Sequence, residues 1–222
     1  MQKTIKIAVI GDFNFTYNTH HAINFAIDHA IHFLEINCDY YWLKPEEFIG
    51  KRASQLNEFD AFWVSPGPFK DESFIDKSIT QLMQLKLPVL VTGDAYANFF
   101  KALSTSFYLN PNGVKIISDN LIQGKIFDRI EVIPLSKELK KLYENHSTTE
   151  LSSSRYSLYP NYLDYLEDST VDIEAVNQFG DPEIVSLQNK DYFVACGFCP
   201  QVSSMREHPH PLVYTFVKAA ML

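Results

Sequence analysis

Short apolar runs alternate with helix-like segments through roughly the first hundred residues, and this alternation constrains the fold more than any other feature. The continuous apolar run Ile5–Ile10 is typical of a strand that is buried on both faces, and comparable runs recur along the chain. The predicted strands are Ile5–Ile10, Asp39–Leu43, Phe59–Ser65 and Pro88–Thr92. Because helices between consecutive strands require crossover connections, the sequence predicts an open, mostly parallel α/β sheet flanked by helices.

Helical periodicity separates these strands. An apolar stripe from Ile23 to Leu34 predicts a first helix, for which Thr19 is the expected N-cap. A second stripe predicts a helix over Ser73–Leu85, and a third helix is expected to begin at about Asp94.

The second half of the chain predicts extra strands joined by turns. These are Gly113–Ser118, Lys125–Leu135, Arg155–Leu158, Val171–Asn177, Glu183–Leu187 and Tyr192–Phe198, followed by an amphipathic helix over His210–Leu222. The polar stretch Asn145–Ser154 is expected to be an exposed loop. Because no linker-like segment divides the chain, residues 1–222 are predicted to form a single domain.

Composition and charge argue against several classes of protein. The 222-residue chain is 46% hydrophobic with a formal net charge of −8, which disfavours both disorder and a nucleic-acid surface. No apolar run approaches the roughly 20 residues of a membrane span, and the first strand begins too early for a signal peptide, so we expect a cytoplasmic protein without a membrane partner. Neither a glycine-rich cofactor motif nor a repeated metal-ligand spacing is present, so we expect no cofactor and no metal.

Ligands of open parallel sheets bind beyond the carboxyl ends of the strands. Three loops are expected at that edge: Gly11–Thr19, Ser65–Asp71 and Gly93–Ala97. Many α/β proteins present a nucleophile at a strand-to-helix turn such as the one at Gly93, yet glycine has no side chain with which to attack. Asp94 has two interpretations: it stabilises the N-terminus of the following helix, or it recognises a ligand through its carboxylate.

Four segments together resemble the glutamine amidotransferase domain of CTP synthase and its small stand-alone relatives. They are IKIAVIGDF, DAFWVSPGPF, PVLVTGDAYANFFKAL and FCPQVSSMREHPHPLVYTFVKAA. The resemblance covers essentially the whole chain, and the last segment is its most specific part. It implies a flavodoxin-like fold of the class I glutamine amidotransferase type.

The resemblance also implies the positions of a catalytic triad. In that family an elbow cysteine attacks the side-chain amide of glutamine, a histidine acts as the base, and a glutamate orients the histidine. Matched without a gap, Gly93 takes the nucleophile position, Cys199 the histidine position and Gln201 the glutamate position. Since losing a triad nucleophile lowers the rate by about 10⁶-fold, the resemblance implies a degenerate triad without glutaminase activity.

The family's oxyanion turn corresponds to Pro66–Phe69, in which Pro68 has no N–H group to donate. The resemblance places Arg155 beside the amidotransferase site, where its guanidinium is expected to hold a substrate carboxylate. The candidate ligand-binding residues are Gly67, Phe69, Asp94, Arg155 and Tyr156, with Asp12, Asn14 and Tyr17 as further pocket lining.

The cysteines and histidines leave alternatives open. Cys196 is expected to pack as a small apolar residue, whereas Cys199 either fills the volume of the missing histidine or is a relocated nucleophile. His20–His21 are expected on the surface of the first helix, unless they contact an anionic ligand or a metal. His208 and His210 are expected to fix the turn before the last helix.

Two functions of different classes follow. The first is a pseudoenzyme that binds a small molecule or a partner protein, and the second is a hydrolase or transferase that acts on a small amide or amino-acid-like substrate through Cys199. A third is a subunit that pairs with a synthetase on another chain, although it would have no ammonia to deliver. The sequence also leaves room for a homo-oligomer.

Overall fold

The structure of the protein is a computed structural model that describes residues 3–109, 113, 115–118, 128–152, 157–159, 162–163, 166 and 170–222. Its strands are β1 (Ile5–Ile10), β2 (Cys38–Leu43), β3 (Ala61–Val64), β4 (Val89–Thr92), β5 (Ile117–Ser118), β6 (Asp128–Pro134), β7 (Thr149–Ser152), β8 (Ser157–Leu158), β9 (Val171–Asn177), β10 (Pro182–Leu187) and β11 (Phe193–Cys196). Its helices are α1 (Asn18–Leu34), α2 (Pro45–Ile49), α3 (Ala53–Leu56), α4 (Glu72–Leu82), α5 (Ala95–Phe107), α6 (Lys137–Tyr143), α7 (Pro200–Ser203) and α8 (Pro211–Ala219).

One sheet runs through both halves of the chain in the order β2-β1-β3-β4-β11-β10-β9-β6-β7. The strands from β2 to β11 in this order are parallel to their neighbours. From β11 onward each neighbouring pair is antiparallel. The predicted open α/β sheet, with a parallel part and extra strands from the second half, is therefore confirmed. A separate two-stranded ladder joins β5 to β8.

Helices cover both faces of the parallel strands because those strands are apolar on both sides. Neighbouring residues of a strand point to opposite faces, so Phe62 packs in one cluster and Trp63 in the other, both fully buried. α4 and α5 cover the face of Phe62, and α1 and α8 cover the face of Trp63. This burial explains the continuous apolar runs in the sequence.

Two local predictions were wrong. α1 begins at Asn18 with Tyr17 as its N-cap, so the predicted cap Thr19 lies in the first turn. The reason is that Asn14 accepts a hydrogen bond from the backbone N–H of Thr16 at 2.9 Å, which folds the loop tightly and starts the helix early. The predicted exposed loop at 145–154 contains β7, which pairs with β6 and buries Glu150.

No helix within the described ranges is long and apolar enough to cross a membrane.

Candidate functional site

The loops after β1, β3 and β4 meet at one edge of the sheet. These strands are parallel neighbours, so their carboxyl ends lie side by side. β1 lies between β2 and β3, so the order of connection reverses there, and open α/β sheets bind ligands at such a switch point. The three loops predicted to form the site are therefore brought together.

Gly93 forms a tight elbow between β4 and α5. Its φ angle is +61°, in the left-handed region that glycine adopts without steric cost. Its backbone N–H donates to the carbonyl oxygens of Cys196 at 3.1 Å and Phe198 at 3.0 Å. The elbow is thus tied by its backbone to the segment that leads into Cys199.

Two neighbours enclose the tip of this elbow. A Cβ atom placed on Gly93 would lie 2.6 Å from the Cβ of Pro66 and 3.3 Å from the Sγ of Cys199. The structure therefore brings the predicted nucleophile and histidine positions together, as the resemblance implies. It also shows that the ring of Pro66 takes the space that any side chain on Gly93 would need.

Asp94 lies against the turn that follows β3. A Cβ atom placed on Gly67 would lie 2.7 Å from Oδ2 of Asp94, so the carboxylate occupies the space beside Gly67. Asp94 is the N-cap residue of α5, at the helix N-terminus as expected, although its side chain makes no capping hydrogen bond. A carboxylate in this place would repel the negative charge that an oxyanion hole serves to stabilise.

His20 and Asp12 hold the two ends of the turn between Pro66 and Lys70. Nε2 of His20 lies 3.3 Å from the carbonyl oxygen of Pro66, and Nδ1 accepts a hydrogen bond from the backbone N–H of Asn14 at 3.0 Å. Oδ2 of Asp12 accepts a hydrogen bond from the backbone N–H of Lys70 at 3.0 Å. These contacts fasten the β1–α1 loop to the turn that closes over Gly93.

The expectation that His20 is a surface residue was wrong, since it is fully buried. Burial lowers the pKa of His20, and the opposing hydrogen bonds with Pro66 and Gly67 do not outweigh it. A neutral ring whose Nδ1 is an acceptor carries its proton on Nε2, which matches donation to Pro66. Because protein groups engage both nitrogens, His20 is not placed to bind an anion or a metal.

Exposed aromatic side chains rim the same edge. Phe13 is 42% exposed, Phe15 78% and Tyr17 39%. Nε2 of His21 lies 2.8 Å from the carbonyl oxygen of Phe15, which fixes the loop that presents these rings. We call Phe13, Phe15 and Tyr17 the aromatic rim.

Cys199 and Gln201 follow β11, which lies beside β4. Cys199 is fully buried, and its backbone N–H donates to the carbonyl oxygen of Leu151 at 2.9 Å. Gln201 is 2% exposed, and neither its amide oxygen nor its amide nitrogen has a hydrogen-bond partner among the described residues. Cys196 is fully buried and packs with the apolar core, as predicted, and burial raises the pKa of its thiol well above the usual range.

The remaining candidate residues have different surroundings. Gly67 is buried, and Phe69 is half-buried against the apolar cluster beneath α4 and α5. Arg155 and Tyr156 lie outside the described residues, so their predicted role stays a prediction.

The sequence analysis missed a buried cluster centred on Glu150 of β7. Oε1 of Glu150 accepts hydrogen bonds from Nε2 of His210 at 2.8 Å and from the hydroxyl of Tyr143 at 3.3 Å. Oε2 accepts a hydrogen bond from the hydroxyl of Ser203 at 3.1 Å. Glu150 thereby links α6, α7 and α8, and α7 carries Gln201. Because Glu150 lies in a polar stretch of the sequence, its neighbours did not indicate that it is buried.

The cluster includes three potential metal ligands, whose donor atoms lie within 4.8 Å of one another: His146, Glu150 and His210. The hydrogen bonds of His210 argue against a metal. Its Nδ1 accepts from the backbone N–H of Leu212 at 3.1 Å, so the ring proton must lie on Nε2, the atom that would have to bind the ion. His210 caps α8 through this bond and fixes the turn before it, as predicted.

Two cavities lined by described residues lie away from the elbow. The first, of about 460 Å³, is bounded by α6, α8 and the antiparallel strands, and the second, of about 420 Å³, lies between α4 and α5.

Comparisons with known proteins match this geometry. The glutaminase domain of Trypanosoma brucei CTPS with bound acivicin superposes with a TM-score of 0.75 at 19% identity, covering 98% of this chain and 94% of that one. The chain therefore has a class I glutamine amidotransferase-like fold. A putative GMP synthase subunit from Thermoplasma acidophilum shares the fold, with a TM-score of 0.64 at 12% identity and coverage of 99% and 96%.

Curated proteins that match the chain in sequence are CTP synthases. That of Saccharolobus solfataricus is 23% identical across 98% of this chain and 45% of its own length, and that of Prochlorococcus marinus strain AS9601 is 27% identical across 97% and 44%. The chain thus spans less than half the length of these relatives. No protein-family model matches it.

Proposed function

We propose that this amidotransferase-like domain has lost glutaminase activity and acts in the cytoplasm by binding a partner protein. The observation that carries the proposal is the contact at the elbow, where a Cβ atom on Gly93 would lie 2.6 Å from the Cβ of Pro66. Real Cβ atoms do not approach one another this closely, and the proline ring cannot swing aside as a flexible side chain would. The elbow thus lacks both a nucleophile and the room for one.

Electrostatics support the same conclusion. Acyl transfer develops negative charge on the substrate oxygen, which an active site stabilises with N–H donors. Here the carboxylate of Asp94 lies beside Gly67, and Pro68 has no N–H group. At the histidine and glutamate positions, Cys199 and Gln201 supply neither a base nor a charge to orient one.

The burial of Cys199 counts against the alternative of an enzyme with altered chemistry. A nucleophilic thiol must reach its substrate, and reactive cysteines lie in partly exposed, electropositive surroundings. Cys199 has no exposed surface. Its contact with the elbow fits the other interpretation, in which it fills the volume of the missing histidine.

The aromatic rim favours a protein partner over a small molecule at this edge. The elbow is closed by Pro66, whereas Phe13, Phe15 and Tyr17 present apolar area to solvent next to it. Exposed apolar patches on monomeric proteins mark interaction sites, and aromatic side chains are enriched in interfaces. The partner is another protein or a second copy of this chain.

The first test measures glutamine hydrolysis, as release of glutamate and ammonia, for the wild type, Gly93→Cys and Cys199→Ser. A CTP synthase serves as the active control. We expect no activity from any form of this protein, including Gly93→Cys, because Pro66 leaves a new thiol no room. Hydrolysis by the wild type that Cys199→Ser abolishes would refute the proposal and identify Cys199 as a relocated nucleophile.

The second test places a photo-crosslinking amino acid at Phe15 and, as a matched control, at the exposed Phe25 of α1. We expect a discrete adduct from position 15 that is absent from position 25 and lost when Phe13 and Tyr17 are changed to Ser. Equal adducts from both positions would contradict a partner surface at the rim.

A further inference from the structure

A groove lies on the far side of the molecule from the elbow. Its volume is about 460 Å³, within the range of ligand and side-chain pockets. The groove is bounded by α6, by α8 and by strands β9 to β11. It reaches Phe193 at the start of β11, whereas the elbow lies beyond the other end, where Cys196 pairs with Thr92.

The floor of this groove is apolar. Ile184 of β10 and Leu212 of α8 are buried in the core beneath it, and Leu139 of α6 forms one wall. Leu142, one turn along α6, is 36% exposed at the rim. The apolar surface that an incoming side chain can cover is therefore provided by Leu142 and by the half-buried Tyr192 and Val194 of the lining.

The rim of the groove is acidic. Its carboxylates belong to Glu138, Asp172, Glu174 and Asp191. Within the described part of the chain, none of these four forms an ion pair. Glu174 is half-buried, and its Oε1 accepts a hydrogen bond from the hydroxyl of Ser186 at 2.7 Å, which fixes the carboxylate in place.

Lys190, the basic residue of the groove lining, is directed away from the acidic rim. Nζ of Lys190 donates to the carbonyl oxygen of Leu85 at 2.8 Å, in the loop between α4 and β4. Lys190 therefore does not neutralise the carboxylates of the groove rim. A cationic group from outside would gain Coulomb energy from them in surroundings less polar than bulk water.

We infer that this groove docks a basic, amphipathic segment of a partner protein. Apolar side chains of the segment cover the floor beside Leu142, and its Lys or Arg side chains meet the carboxylates of Asp172 and Glu174. An apolar groove with a charged rim is the arrangement that amphipathic helices recognise. The inference is independent of the proposed function, because it concerns the opposite end of the sheet and holds whether or not the elbow is catalytic.

The probe for the test is a designed, fluorescently labelled helical peptide with leucine along one face and lysine beside it. The comparison peptide carries glutamate at each lysine position. Fluorescence anisotropy measures binding to the full chain. We expect the lysine peptide to bind, the glutamate peptide not to bind, and the affinity of the lysine peptide to fall as salt is added.

Substitutions in the groove test whether the lysine peptide binds there. Changing both Asp172→Asn and Glu174→Gln is expected to weaken binding of the lysine peptide about tenfold, since both changes remove charge that the peptide faces. The matched control, Glu46→Gln with Glu47→Gln on the exposed surface of α2, removes the same charge and is expected to change affinity less than about twofold. Leu142→Ser is expected to weaken binding without changing charge. Circular dichroism verifies that each variant is folded.

Three outcomes would overturn the inference. One is no binding of the lysine peptide. Another is that the Asp172→Asn, Glu174→Gln variant and the α2 control variant weaken peptide binding equally, which would show attraction to the overall net charge of −8. The third is that a small organic cation such as phenethylamine binds instead of the peptide, and that the Asp172→Asn, Glu174→Gln variant no longer binds this cation. That result would make the groove a small-molecule site.

Discussion

The ring of Pro66 fills the space in front of Gly93: a Cβ atom on the glycine would lie 2.6 Å from the Cβ of the proline. The two residues come from the carboxyl ends of adjacent parallel strands, so their separation is set by the sheet itself. A substitution at Gly93 must therefore strain the backbone, the turn or both.

We predict that Gly93→Ala lowers the free energy of unfolding by about 2–5 kcal/mol. A left-handed φ of +61° costs a non-glycine residue about 1–2 kcal/mol, and the clash with Pro66 adds an overpacking cost of about 1–3 kcal/mol. Urea denaturation measures the change. Gly180→Ala is the matched control, because Gly180 also has a positive φ but nothing lies within 4 Å of its Cβ position, so only the backbone cost of about 1–2 kcal/mol applies.

Pro66→Gly tests the contact directly. In the Pro66→Gly protein, Gly93→Ala should no longer incur the overpacking cost, which gives a coupling energy of about 1–3 kcal/mol in a double-mutant cycle. Strict additivity of the two changes would mean that Pro66 does not restrict the elbow.

We predict that stability falls as the pH is lowered from about 8 to about 5, in part because of His20. Burial lowers the pKa of His20 below its ordinary value of 6.5, so between the two values the unfolded chain binds a proton that the folded protein does not. The contribution of His20 to the free energy of unfolding is complete above pH 6.5 and is lost as the pH falls toward the pKa of His20 in the folded protein. Burial and His210 lower the pKa of His146, which acts in the same direction.

Urea denaturation across this pH range measures the effect. His20→Gln should flatten the dependence of the unfolding free energy on pH more than His32→Gln, the same substitution at an exposed position of α1. An identical slope in wild type and His20→Gln would show that His20 does not titrate differently on folding.

The parallel half of the fold was predictable because strands that are buried on both faces are continuous apolar runs in the sequence. β1 has the predicted bounds of Ile5–Ile10, and the apolar stripe of α1 faces the sheet as expected. The elbow at Gly93 was also predictable, since its glycine, strand and helix are adjacent in sequence. Its closure was not, because the side chain that closes it is Pro66, on another strand.

The sequence analysis did not predict which polar residues are buried. β7 reads as a loop because its residues are polar, yet Glu150 and Ser152 are buried with hydrogen-bond partners from distant segments. His20 looked like a helix-surface residue for the same reason. Local composition cannot reveal a partner that lies far away in sequence, and such partners are what permit polar groups to be buried.

We predict that His210→Ala destabilises the protein by about 3 kcal/mol. The substitution removes the donor to Glu150 and the cap of α8, and it leaves a buried carboxylate with fewer hydrogen bonds. Thermal or urea unfolding measures the loss. His208→Ala is the control, because His208 is exposed beside the same turn. A loss below about 1 kcal/mol would contradict a central structural role for the cluster.

The thiol of Cys199 should be protected from reagents in the folded protein. Cys199 and Cys196 have no exposed surface, and burial raises the pKa of Cys38 to about 12, so all three thiols should react slowly near pH 8 with a reagent that needs the thiolate. The measurement is labelling with an aromatic disulfide, followed by mass spectrometry of the peptides. Ser54→Cys, at an exposed position of α3, supplies a thiol that should react rapidly in the same sample. In urea, the three native thiols and the added thiol should react at similar rates. Native labelling of Cys199 as fast as that of the added thiol would mean that Pro66 does not keep the elbow closed, and it would favour an enzyme of altered chemistry over a pseudoenzyme.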